Sequence, residues 1–118
     1  MRFSHRAFSL VELMVGVIIL LIVISGCLVT YIHCVALNDS SQNLVVAIND
    51  AQYVLEQMKS LAFGDIATYT APAFSNLPSE TITLNRIIGT SMATVTVGVS
   101  WQERKRSRTF SMTTYLAK

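Results

Sequence analysis

From Leu13 to Asn38 the chain carries no charged side chain, apart from His33 when it is protonated. That run exceeds the roughly 20 apolar residues an α-helix needs to cross a bilayer. Lipid offers no hydrogen bonds, so a segment within it must satisfy every backbone N–H and C=O internally, as a helix does. The run therefore predicts one membrane-spanning helix. Its many β-branched residues weaken a helix slightly in water, but lipid leaves the backbone no alternative. Gly16 and Gly26 are the weak points within it. The run also explains the composition. Charged residues make up 14% of the 118-residue chain, against about 25% in an ordinary soluble domain. What lies outside the run is enough for one small core, which needs a long helix or a partner to pack against.

The flanks are read from charge and periodicity. Residues 1–7, MRFSHRA, form a short basic leader, too short and too polar to be the apolar region of a secretory signal. Arg2 and Arg6 predict a cytoplasmic N-terminus and an extracytoplasmic C-terminus. Residues 8–37 form the transmembrane helix. In residues 38–63, Leu44, Ile48, Ala51, Leu55, Met58 and Ala62 recur at helical spacing. This predicts an amphipathic helix half, with Asp39, Asn43, Asp50, Gln57 and Lys59 on its other faces. No proline precedes Pro72, so one helix from Phe8 to Phe63, about 84 Å long, is expected. Gly64 is the expected stop.

Residues 64–118 are read as a small antiparallel sheet domain. Residues 64–80 hold both prolines and are read as a loop. Strands are expected at 81–88, 93–101 and 108–117, with a polar turn at 102–107. Val95, Val97, Val99 and Trp101 alternate with Thr94, Thr96, Gly98 and Ser100, the pattern of a strand with one buried face. Phe110, Met112 and Leu116 share a side of the last strand. The expected fold is α+β, with a long N-terminal helix packed on a small antiparallel sheet.

Several chemistries are excluded. Cys27 and Cys34 lie seven residues apart in the apolar run. On one helix that places their Cα atoms about 10.5 Å apart, too far for a disulfide. With His33 they would make an incomplete metal site inside lipid, so no metal or cofactor is expected. Beyond the run there is neither histidine nor cysteine, and no glycine-rich phosphate loop. The chain does not read as an enzyme. Without Arg2 and Arg6 the basic and acidic side chains balance, so nucleic acid is not an expected partner. The one basic cluster is Arg104, Lys105 and Arg106, with Arg108. It reads as a solvated turn, with an acidic neighbouring subunit or DNA as alternatives. Trp101 reads as sheet packing, with a partner contact as the alternative.

Directly before the span stands Ala7-Phe8-Ser9-Leu10-Val11-Glu12. A carboxylate at the mouth of an apolar helix is costly: at a span's centre a charge costs about 2.5–3.5 kcal/mol, less near the end. Glu12 therefore invites a cation. This order of basic leader, small residue, Phe, Ser-Leu-Val, Glu and span resembles the class III leader of type IV prepilins and pseudopilins. The resemblance implies cleavage between Ala7 and Phe8 by a prepilin peptidase, and methylation of the new Phe8 amine. It also implies a bacterial inner-membrane subunit that assembles into a filament, and it supplies the missing cation: the amine of one subunit meets Glu12 of its neighbour. The chain departs from the family pattern at Ala7, where glycine is usual. It also lacks a proline in the span, leaving Ser25 and Gly26 as the places where the helix could loosen.

The stretch VTVGVSWQERKRSRTFSMTTYLA is similar to the type II secretion pseudopilin I and to PilV-like minor pilins. That similarity implies a minor subunit in a heteromeric tip complex with other pilin or pseudopilin subunits. From another class comes the alternative of a single-span anchored protein that binds a ligand or signals without entering a filament.

Overall fold

The computed structural model describes residues 8–118; the leader, including Ala7 at the expected cut, lies outside the described residues. The elements are α1 (Leu10–Ser60), a 3₁₀ turn (Phe63–Ala67), β1 (Thr81–Ile88), β2 (Met92–Glu103) and β3 (Arg106–Ala117). The strands form one antiparallel sheet in the order β1-β2-β3. The fold is α+β, a long N-terminal helix packed on a three-stranded sheet, as the sequence predicts. Internal contacts divide the chain into two units that meet between Asn38 and Asp39.

In the first unit α1 passes through Gly16 and Gly26 without a break. The hydroxyl of Ser25 donates to the Leu21 carbonyl (2.8 Å) and that of Thr30 to the Gly26 carbonyl (3.0 Å). Bonding one turn back hides these polar groups within the helix. The large apolar residues from Phe8 to Ile32 are all exposed. A contiguous surface of this kind needs lipid or protein around it, and the apolar first part of α1 is long and apolar enough to fit a transmembrane anchor.

The second unit has a conventional core. Ala47, Ala51, Val54, Leu55 and Met58 of α1 meet Ala93, Val95, Val97, Val99 and Trp101 of β2. The alternation of β2 is the cause: with a side-chain period of two, every second residue faces the helix. The register then fixes the neighbours. Val97 lies between Leu84 and Met112, and Val99 between Ile82 and Phe110. On the opposite face Thr96 and Thr113 exchange a hydroxyl hydrogen bond (2.8 Å).

Four expectations are corrected. Helix α1 ends at Ser60 rather than Phe63. The Leu61 N–H bonds back only three residues, to Met58, and the Ser60 hydroxyl takes the Gln57 carbonyl (2.7 Å), so the last turn tightens and stops. Gly64 is therefore not the stop; it lies inside the 3₁₀ turn, which occupies part of the expected loop. The polar turn at 102–107 shrinks to Arg104 and Lys105, because the ladder continues to Glu103↔Arg106. The buried stripe is rotated as well. Leu44 is 40% exposed and Ala62 is exposed, while Ala47, Val54 and Asp50 are buried.

Candidate assembly site at the start of helix α1

Ser9 precedes the first residue of α1, and its Oγ accepts a hydrogen bond from the Glu12 amide (3.2 Å). This is an N-cap, satisfying one of the donors left free at a helix start. The spacing Ser9-x-x-Glu12 is that of a capping box, the signal from which the cap could have been read. Glu12 is the acidic residue of the first turn, where the helix dipole favours negative charge. Residues of the expected docking motif thus also start the helix.

Phe8, Glu12, Leu13, Gly16, Val17 and Leu20 line one open notch of about 360 Å³. Glu12, Gly16 and Leu20 follow one another at four-residue spacing on α1, hence on one face, and Phe8, which precedes the helix, lines the same notch. Gly16 has nothing within 4 Å of where a Cβ would stand, which deepens the notch. The result is an apolar groove with one carboxylate, open to a cationic partner.

The other expected site residues lie in the second unit. Trp101 is 3% exposed; it belongs to the core, and contact with a partner would require that core to open. Its Nε1 is buried with no acceptor among the described residues. Arg104 pairs with Asp39 (3.1 Å), and Arg108 pairs with Glu103 (3.2 Å). Ser40 and Asn43 also donate to the Glu103 carboxylate, at 3.2 and 3.4 Å. Lys105 and Arg106 are exposed and unpaired among the described residues. His33, Cys27 and Cys34 are all exposed along the first unit.

A cluster that sequence reasoning missed joins Asp50, Asn76 and Glu80. The Asn76 side-chain amide donates to both oxygens of Asp50 (3.1 Å each). One oxygen of Glu80 accepts the backbone amides of Asn76 (3.0 Å) and Leu77 (3.2 Å). Its other oxygen is buried without a donor. Burial raises the Glu80 pKa above the usual carboxylate range, and the neighbouring Asp50 raises it further. A proton on Glu80 relieves both effects. A raised folded-state pKa stabilises the fold fully below the unfolded-state value, and that contribution is lost as pH rises through the folded-state value. The second unit should therefore lose stability over the window just above the ordinary glutamate range. Glu80→Gln should flatten that slope, measured as urea midpoint against pH. A slope unchanged in the variant would assign the dependence elsewhere.

The prokaryotic N-terminal methylation motif matches residues 2–28. No curated protein and no solved structure matches the chain. The matched segment contains the Phe8-to-Glu12 stretch and most of the exposed apolar helix. Together with the α+β fold, this motif supports placing the chain in the type IV pilin-like family.

Proposed function

We propose that the chain is a structural, non-enzymatic minor subunit of a type IV pilus or a type II secretion filament. The observation that carries this reading is the methylation motif over residues 2–28, within which an exposed carboxylate lies one helical turn beyond Phe8. Residues 1–7 are a leader that a prepilin peptidase removes between Ala7 and Phe8. Residues 8–37 cross the bacterial inner membrane with the N-terminus in the cytoplasm, as Arg2 and Arg6 favour. The helix continues from residue 38 to Ser60, and the sheet domain that follows lies on the outer side. Cleavage creates an α-amino group, which the peptidase methylates.

In the assembled filament that amine of one subunit meets Glu12 of the next. In a water-poor core the pair is far stronger than at a surface. Desolvation offsets much of the gain, so the contact sets register more than stability. The partners are the peptidase and other pilin or pseudopilin subunits, in a heteromeric filament or tip complex.

Mass spectrometry of the chain expressed beside a prepilin peptidase tests this. The expected species begins at methylated Phe8. An intact Met1 terminus would instead favour a membrane-anchored ligand-binding or signalling protein. Ala7→Gly should process at least as fast as the parent, because glycine is the family's usual residue at that position.

A further inference from the structure

The β2–β3 hairpin closes on two residues, Arg104 and Lys105, since Glu103 pairs with Arg106 across the ladder. Both take left-handed backbone conformations, with φ of 45° and 67°. Two-residue hairpin turns of that hand favour Asn-Gly or Asp-Gly, because other side chains meet a steric penalty there. This turn instead carries two long cationic side chains, and Arg106 follows immediately. The strain makes sense if the charges are used.

The charges at the tip are unevenly matched. Asp39 engages Arg104, and Glu103 engages Arg108. Lys105 and Arg106 have no acidic partner among the described residues, so the tip is net positive. The same contacts fix its position in the second unit. Arg104 is held to Asp39 at 3.1 Å, and Glu103 is held by Ser40 and Asn43. These helix residues directly follow Asn38, where the uncharged run ends. The opposite end of β3, at Tyr115 to Ala117, instead lines a cavity with Met58, Lys59 and Phe63, about five helical turns further along α1. Within the second unit the basic tip thus lies at the end where its helix segment begins, at Asp39.

We infer that Lys105 and Arg106 bind anionic phospholipid headgroups at the membrane surface where α1 emerges, an inference that rests on reading residues 8–37 as a span. Arginine suits phosphate by its planar fork and lysine by its point charge. Two uncompensated charges are too few for a useful affinity toward free nucleic acid, where each phosphate contact adds only a salt-sensitive increment. Headgroups need no such affinity, because the span holds them at high effective concentration beside the tip. Bound in this way, the hairpin keeps the second unit against the bilayer until the subunit is extracted into a filament.

The test uses the full chain in phosphatidylcholine bilayers, with spin-labelled phosphatidylglycerol and spin-labelled phosphatidylcholine as probes. The preference for phosphatidylglycerol among protein-immobilised lipids is compared between the parent and the Lys105→Gln/Arg106→Gln double variant. Both retain the Asp39–Arg104 and Glu103–Arg108 pairs, and both carry Arg2 and Arg6, so the difference reports the tip. Each basic side chain at a lipid surface should contribute roughly fivefold. The preference should fall at least about fivefold in the variant, and the difference should vanish near 0.5 M salt, where screening is short-ranged. Equal preference in parent and variant would overturn the proposal. So would equal preference together with a loss of DNA binding in the variant, which would give the patch to nucleic acid. If neither lipid is immobilised, the span reading fails and the inference fails with it.

Discussion

Glu12→Ala leaves cleavage before Phe8 largely intact but lowers incorporation of the chain into filaments by at least tenfold. The carboxylate is in the first turn of α1, within the apolar notch that begins at Phe8. The helix dipole favours its charge there, but burial in a subunit interface would make that charge costly unless a cation matched it. In a subunit interface, removing one partner leaves the other charge buried and alone, which costs about 3–5 kcal/mol. Every 1.4 kcal/mol is a factor of ten in an equilibrium, so tenfold is a conservative bound. Glu12→Gln sharpens the test, because it keeps the size and hydrogen-bonding capacity and removes only the charge. If charge matching is the mechanism, Gln should behave almost as badly as Ala. The measurement is the ratio of chain in sheared filaments to chain in membranes, with the mature N-terminus checked by mass spectrometry. Normal incorporation of both variants would sink the amine–carboxylate mechanism, even if processing occurs as proposed.

Trp101→Ala unfolds the second unit or brings it close to unfolding, while leaving cleavage before Phe8 unaffected. Trp101 is 3% exposed and closes one end of the row formed by Val95, Val97 and Val99. Truncating a buried tryptophan costs about 3–5 kcal/mol, a large share of the roughly 5–15 kcal/mol that holds a typical domain. Trp101→Phe should be much milder, near 1 kcal/mol. It keeps most of the apolar volume and removes an indole N–H that is buried without an acceptor, and such an orphan carries its own penalty. Hydrogen exchange of the β2 amides in the full chain gives the readout. Loss of protection in Ala with retention in Phe is the expected result. Similar protection in all three proteins would show that Trp101 contributes little to the core.

These two substitutions separate the two physical regimes of the chain. In the first unit exposed apolar residues await a non-aqueous environment. In the second, apolar residues are satisfied by one another. The methylation motif lies wholly within the first 28 residues, outside the second unit. At the β2–β3 tip Lys105 and Arg106 have no acidic partner among the described residues.

Local pattern made much of this legible. The uncharged stretch, the Ser9-to-Glu12 spacing and the alternation from Val95 to Trp101 are periodicities of nearby residues, and nearby residues set helix and strand. The antiparallel sheet and its inward face follow from them. The sequence also carried the motif, because the methylation motif and the cap are both made of contiguous residues.

Partners distant along the chain decided the rest. Asp50 falls outside the apolar stripe by periodicity, yet it is buried. Asn76, 26 residues away, supplies the hydrogen bonds that make its burial tolerable. Local polarity predicts a six-residue turn at 102–107, but the register of β2 against β3 continues the ladder until only Arg104 and Lys105 remain in the turn. Which of its charges are cancelled depends on Asp39, more than sixty residues earlier. Burial and charge pairing are properties of spatial neighbours. Periodicity shows which side of an element is apolar, but only the packed structure brings the polar groups together and leaves some of them without a counter-charge.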